Sequence, residues 1–158
     1  MKKLSSKSWA ARCLIVLTVA APLLAFVSPL RGGDSFEIYL GKTRLVQQFV
    51  HLDKSTKTLD LASATANDVL KVSFNHCGQT STNRTLSLKS HATVLKQWKF
   101  SDMKAGASPE MVISITEIRS IQKANKGIQL SLYYTSDMLK DGRVLAAISQ
   151  YNEHASIR

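Results

Sequence analysis

From Phe36 onward, hydrophobic and polar residues alternate over short stretches that turn-forming residues separate. The first stretch has Phe36, Ile38 and Leu40 at its apolar positions. Gly41-Lys42 then turns the chain into a second alternating stretch. Alternation with a period of two places every second side chain on one face of a β-strand. The pattern therefore predicts an antiparallel β fold that opens with a hairpin.

Seven further stretches have strand character, and most of them are short and bounded by turn signals. We expect these strands at 58–62, 69–75, 84–90, 93–100, 111–115, 128–135 and 143–149. A series of short strands without long helices is typical of β-sandwiches and β-barrels. We predict a mainly β protein, an antiparallel β-sandwich of about seven to nine strands with one short helix.

The helix is predicted where the alternation is interrupted. Ser114, followed three residues later by Glu117, fits a capping box at a helix N-terminus. Gly127 suits the left-handed position that follows a helix end. These signals predict a helix at 116–126 that covers an edge or an end of the sandwich.

Residues 1–33 have the features of an export signal. Basic residues precede an uncharged apolar run at 13–27, which is the pattern of a secretory signal peptide. The run has 15 residues, whereas a membrane-spanning helix needs about 20. Because no clean small-residue cleavage site follows the run, a cleaved signal peptide and an uncleaved N-terminal anchor both stay open. We predict a periplasmic or secreted protein that contacts the inner membrane only through this segment, if it is uncleaved.

Residues 34–158 are long enough for one β-sandwich domain. Residues 1–33 hold five basic residues and no acidic residue, so without them the formal net charge falls from +10 to +5. The remaining charges of both signs are mixed along the chain, whereas a nucleic-acid-binding protein clusters its basic residues on one face. We expect no nucleic-acid partner, and a partner that is an unknown protein or an envelope component.

Cys77 is the candidate for reactive chemistry. It is the one cysteine after the export segment, so it has no internal disulfide partner. Its neighbour His76 shares the apolar face of the preceding strand, and adjacent strand residues point to opposite faces. Arg84, across the next loop, is a nearby cation that could lower the pKa of the thiol. A thiol-dependent enzyme or redox protein using Cys77, His76 and Arg84 is therefore one hypothesis, and a reduced, partly buried thiol at a strand end is the structural alternative.

Metal binding and ligand contact have weaker sequence signals. A cysteine and histidines in an exported β-sandwich suit a copper or zinc carrier, but the four histidines lack the paired spacing of zinc sites and Cys77 lies too far from the C-terminus for a blue-copper loop. We predict no metal and no cofactor. Tyr133 precedes Tyr134 and must face away from the apolar side of its strand, which makes Tyr133 the candidate for a ligand or partner contact.

Several stretches resemble a group of small exported bacterial proteins without an established activity. The resemblance covers most of 34–158, and it is carried by His76-Cys77-Gly78, 84–89, 94–100 and 130–148. It implies an exported all-β protein and transfers no catalytic residue. We expect a non-enzymatic binding or envelope-associated module, with the thiol-dependent enzyme and the metal carrier as alternatives.

Overall fold

Nine β-strands and one α-helix form the part of the chain that the computed structural model describes, residues 33–102 and 110–150. In chain order they are β1 (Ser35–Leu40), β2 (Thr43–Phe49), β3 (Lys57–Leu59), β4 (Val69–Asn75), β5 (Thr85–Ser90), β6 (Thr93–Lys99), β7 (Met111–Ser114), α1 (Ile115–Ala124), β8 (Leu130–Thr135) and β9 (Arg143–Ile148). The described residues belong to one compact unit that begins at Gly33. Residues 1–32 of the predicted export segment lie outside the described residues. Within the described part, α1 is too short and too polar to cross a bilayer.

The strands form two sheets. The smaller sheet has the order β2-β1-β4-β7, and the larger has the order β3-β9-β8-β5-β6. All neighbouring strands are antiparallel except β3 and β9, which pair in parallel with Lys57 opposite Ala146. The prediction of a mainly β, sandwich-like protein with a single short helix is confirmed.

The two sheets share one hydrophobic core because each turns its apolar positions inward. Phe74 of β4 stacks on Tyr134 of β8 with the ring centroids 4.4 Å apart, so one aromatic pair joins the sheets near the ends of these two strands. Strands of both sheets contribute buried side chains to this core, among them Leu70, Val72, Phe74, Leu86, Leu88, Ile113, Leu130, Leu132 and Ile148. Trp98 is partly buried and packs against the core from β6, at the edge of the larger sheet.

The opening hairpin forms as predicted, with Gly41 in a left-handed conformation at φ +58° and Leu40 paired with Thr43. Strand β3 is shorter than expected and ends at Leu59. The carboxylate of Asp60 instead accepts a hydrogen bond from the amide of Ala62 at 2.9 Å, which is the local turn that aspartate favours over an extended strand.

Helix α1 begins one residue earlier and ends two residues earlier than predicted. The Ser114 side chain caps it by accepting a hydrogen bond from the amide of Thr116 at 3.2 Å. The carboxylate of Glu117 accepts a hydrogen bond from the Trp98 indole at 2.9 Å, so Glu117 reaches to β6, where a capping box would direct it back to the cap. On another face of the helix, the Gln122 amide donates to the carbonyl of Ser149 at 2.8 Å. The helix therefore connects β6 to the end of β9, in agreement with the predicted covering role.

Candidate functional site

The polar site of the domain begins where β4 ends in a tight turn. His76 and Gln79 form an isolated antiparallel bridge, and the amide of Gln79 donates to the carbonyl of His76 at 2.9 Å. Between them, Cys77 and Gly78 both have positive φ angles, +52° and +78°. Two central residues with positive φ define the mirror-image turns that match the twist of β-hairpins. This turn separates the side chains of His76 and Cys77.

The imidazole of His76 lies inside the domain with polar partners on both ring nitrogens. Its Nδ1 lies 3.1 Å from Oδ2 of Asp34, and its Nε2 lies 3.3 Å from the hydroxyl oxygens of both Tyr134 and Ser136. Because an ionised carboxylate only accepts hydrogen bonds, Nδ1 is the donor in the contact with Asp34. Nε2 of a neutral ring then accepts from a hydroxyl group. The ring also lies 4.6 Å from that of Phe74, so the network is continuous with the aromatic core.

The order carboxylate, imidazole and hydroxyl is that of a catalytic triad, with Asp34, His76 and Ser136 in the three positions. In such an enzyme the hydroxyl is accessible and the carboxylate is buried, whereas here the carboxylate is the more exposed group. The carboxylate side chain of Asp34 is 34 % exposed, whereas Ser136 is only 5 % exposed. A nucleophile has to reach its substrate. The arrangement instead ties the residue before β1 to the ends of β4 and β8, which is the function of a buried structural network.

The side chain of Cys77 is exposed in the turn, at a loop edge, and is not partly buried at a strand end. Its Sγ donates a weak hydrogen bond to Oδ1 of Asp34 at 3.8 Å. Desolvation raises the pKa of the thiol, and the negative charge of Asp34 raises it further. The expectation that Arg84 lowers this pKa is wrong, because the charge that acts on the thiol is a carboxylate.

Arg84 lies in the interior. Its side chain is 1 % exposed, and its Nε donates to the carbonyl of Ser101 at 2.9 Å. Desolvation lowers the pKa of the guanidinium, while Asp102 and Tyr134 act in the opposite direction. Arg84 therefore holds the segment after β6 to the start of β5, and the structure does not direct it to the thiol.

A second polar cluster fixes the loop between the turn and β5. Oδ1 of Asp137 accepts hydrogen bonds from the hydroxyl of Ser81 at 3.1 Å and from the amide of Thr82 at 2.6 Å. Ser81 is fully buried. Because Asp137 follows β8 directly after Ser136, this cluster and the His76 network hold the same end of the sandwich together.

Tyr133 lies on the outer face of the larger sheet, opposite to the core side, as its position in the strand predicted. Nζ of Lys89 lies 3.5 Å from the centroid of its ring, and its hydroxyl donates to the carbonyl of Asp141. A Cβ added to Gly142 would clash with the Tyr133 ring, so glycine makes the close approach possible. Tyr133 is half-buried by residues of its own chain, and its role in ligand contact stays a prediction.

The structure brings together His76 and Cys77 with three residues that sequence reasoning missed: Asp34, Tyr134 and Ser136. A histidine on an inward strand face was the available signal, because a buried imidazole needs hydrogen-bonding partners. A tyrosine on an inward strand face has a hydroxyl that can be such a partner, and Tyr134 has this position. Asp34 was hidden since its contact with His76 spans 42 residues of sequence.

Among the described residues, no three histidine, cysteine, aspartate or glutamate side chains are grouped to hold a metal ion. A shallow pocket of about 120 Å³ lies between the C-terminus of α1 and the paired strands β8 and β9, bordered by Gln122, Gly127 and Leu130. It lies where Leu130 pairs with Ile148, at the opposite end of β8 from Tyr134 and Ser136.

Comparison of the chain with protein families, curated proteins and solved structures gave no significant match. The resemblance to small exported bacterial proteins therefore stays a prediction.

The carboxylates that hold the loops predict acid sensitivity. Hydrogen bonds from Ser55 and Lys57 lower the pKa of Asp53 from 3.8 to about 2. The pKa of Asp137 is also lowered: desolvation acts against the shift, but hydrogen bonds from Thr82 and Ser81 outweigh it. A carboxyl group whose pKa is lower in the folded state stabilises that state above its unfolded pKa and loses the contribution as the pH falls.

We therefore expect the free energy of unfolding to fall as the pH decreases from 3.8 to about 2. Urea unfolding at a series of pH values measures this dependence. Asp53→Asn should reduce the slope with which the free energy of unfolding falls at acidic pH. Asp141→Asn is the matched control, because the described contacts include no such hydrogen bonds to the Asp141 carboxyl group. If the free energy of unfolding of Asp53→Asn fell with the same slope as that of the parent, Asp53 would not cause the acid sensitivity.

Proposed function

We propose that the protein is an exported, non-enzymatic β-sandwich that acts as a binding or envelope-associated module. The exposure pattern of the polar site supports this function most directly. The imidazole and hydroxyl groups that could perform acid–base chemistry are buried and bonded to each other, and the exposed thiol has a raised pKa. The basic segment and apolar run at the N-terminus support export.

The thiol-dependent enzyme is the alternative that this proposal has to exclude. A nucleophilic cysteine needs a lowered pKa and a base that contacts it. The neighbour of the Cys77 thiol is instead the carboxylate of Asp34, and the His76 ring is directed into the core. A carboxylate beside a thiol opposes thiolate formation.

The pH dependence of alkylation tests the two functions against each other. We expect the alkylation rate of Cys77 to reach half its maximum above about pH 8.5, the unperturbed value for a thiol. The Cys77→Ser variant gives the background labelling. Half-maximal alkylation below about pH 7 would overturn the non-enzymatic reading and favour the enzyme.

Export is tested separately in the native host. We expect the folded domain to be protected from protease in intact cells and accessible after the outer permeability barrier is opened, or to be found in the medium. Intact-mass measurement on the same fractions distinguishes a cleaved signal peptide from an uncleaved anchor. Recovery of the full-length protein in the soluble cytosol would contradict the proposal.

A further inference from the structure

Strand β6 stands out among the nine described strands because none of its side chains is buried. It forms one edge of the larger sheet and pairs only with β5 in the described part of the chain. Of the other edge strands, β3 and β7 have only three and four residues. On the remaining edge strand, β2, two side chains are buried and the single charged side chain of the strand, Arg44, is bonded to Glu37. A long edge strand presents unpaired backbone groups that can accept another strand.

The backbone of β6 shows which groups are available at this edge. Directly after the strand, the amide of Phe100 donates to the carbonyl of Arg84 at 2.9 Å. In an antiparallel pair every second residue repeats this geometry, and the residues between them direct their amide groups to the other side. The amides of Gln97 and Lys99 therefore point away from β5, toward the open edge.

The charge of the larger sheet favours one kind of partner. Its five strands contain five basic residues and, in the described strand sequences, no acidic residue: Lys57, Lys89, Lys96, Lys99 and Arg143. The smaller sheet is mixed, with Glu37 bonded to Arg44 at 3.2 Å on its outer face. Opposite charges on neighbouring strands stabilise pairing, and like charges oppose it.

Two of these lysines lie on β6 itself. Nζ of Lys96 lies 3.9 Å from the carboxylate of Glu117 on α1, so part of its charge is compensated. Lys99 is exposed and has no carboxylate partner among the described residues. Val94, near the start of the strand, leaves 50 % of its surface exposed. The edge thus combines positive charge with apolar surface.

We infer that β6 binds an extended acidic peptide segment of another protein, which adds as a sixth strand to the larger sheet. This inference rests on the binding function proposed above and specifies its partner. Backbone hydrogen bonds to the amides of Gln97 and Lys99 supply the affinity, and carboxylates of the peptide pair with the lysine side chains, as in other cases of β-strand addition. Pairing of β6 with a second copy of itself is disfavoured because it would bring the lysines of both copies together.

The test uses the full-length protein and a short fluorescein-labelled peptide of alternating valine and glutamate. Fluorescence anisotropy at low salt should show binding that weakens as salt is added, because exposed charge pairs are screened. The same peptide with lysine in place of glutamate should not bind. Equal binding of the two peptides, or binding of neither, would overturn the inference.

Substitutions at the edge separate the backbone contribution from the charge contribution. Gln97→Pro removes an outward amide without removing a bond to β5, and edge strands tolerate proline at such positions. We expect it to weaken peptide binding about tenfold or more, whereas Gln97→Ala, which keeps the amide, should bind as the parent does. Equal affinity of these two variants, with both folded by circular dichroism, would contradict strand addition.

Charge reversal has a matched control on the other sheet. Lys99→Glu should weaken binding about three- to tenfold at low salt, and Lys42→Glu, in the exposed turn of the opening hairpin, should leave it unchanged. An equal effect of both substitutions would reduce the interaction to a general attraction between opposite net charges and would overturn the inference.

Hydrogen exchange shows whether something other than an acidic peptide covers the open edge of β6. In the free protein, the amides of Gln97 and Lys99 should exchange rapidly, and the glutamate peptide should slow their exchange. Slow exchange without peptide in a monomer would mean that the chain covers its own edge. A concentration-dependent dimer that Gln97→Pro dissociates would identify a second copy. Either result overturns the inference, while normal export and an unreactive Cys77 would leave the broader binding function in place.

Discussion

Replacing Phe74 with alanine should lower the free energy of unfolding by about 3–5 kcal/mol, the range for deleting a buried aromatic side chain. Phe74 is 1 % exposed and contacts both sheets: its ring stacks on Tyr134 at 4.4 Å and lies parallel to Phe36 with the centroids 6.0 Å apart. Its removal leaves a cavity that rigid strands on either side cannot close. The free energy of unfolding should therefore fall strongly in Phe74→Ala.

Urea unfolding followed by circular dichroism measures the effect, with Val112→Ala as the control. Val112 is also a β-strand residue of the smaller sheet, but 45 % of its surface is exposed, so its truncation should change stability by no more than about 0.5 kcal/mol. If the two substitutions had equal effects, β4 would not face the larger sheet and the sandwich arrangement would be wrong.

Alternation predicted the inward positions of β4 and β8 because a period of two fixes which side chains share a face. It also placed His76 on the core side and Tyr133 on the outer side. Alternation did not predict the order of the strands in each sheet. Strand β3 pairs with β9, far away in the chain, so Lys57 lies opposite Ala146. No local turn specifies such a contact.

The features of the candidate site that the sequence did not predict also have physical causes. Cys77 was expected at a strand end, but a tight turn with positive φ at Cys77 and Gly78 ends the strand just before it. Non-glycine residues seldom adopt this conformation, so only Gly78 signalled the turn. Arg84 is close to Cys77 in sequence, yet its guanidinium is buried among residues that follow β6. Short sequence distance did not predict which charge acts on the thiol.

Replacing His76 with alanine should also destabilise the domain. The hydroxyl groups of Tyr134 and Ser136 both lie 3.3 Å from Nε2 of His76, and buried polar groups left without a partner cost about 1–3 kcal/mol. Loss of the ring contact with Phe74, 4.6 Å between centroids, should add about 0.5–1.5 kcal/mol. His91→Asn is the control, because His91 is exposed in a hairpin turn with φ +52°, a conformation that asparagine tolerates.

A double-mutant cycle distinguishes a hydrogen-bonded network from simple cavity formation. Tyr134→Phe keeps the ring and removes one of the two hydroxyls that face Nε2, so alone it should cost about 0.5–1.5 kcal/mol. In the His76→Ala background the same change removes an unsatisfied group, and it should be neutral or stabilising. Coupling of this sign arises only if the Tyr134 hydroxyl and the imidazole bond each other. Additive effects of the two substitutions would show that His76 contributes packing alone, and the network from Asp34 to Ser136 would then not be what joins this end of the two sheets.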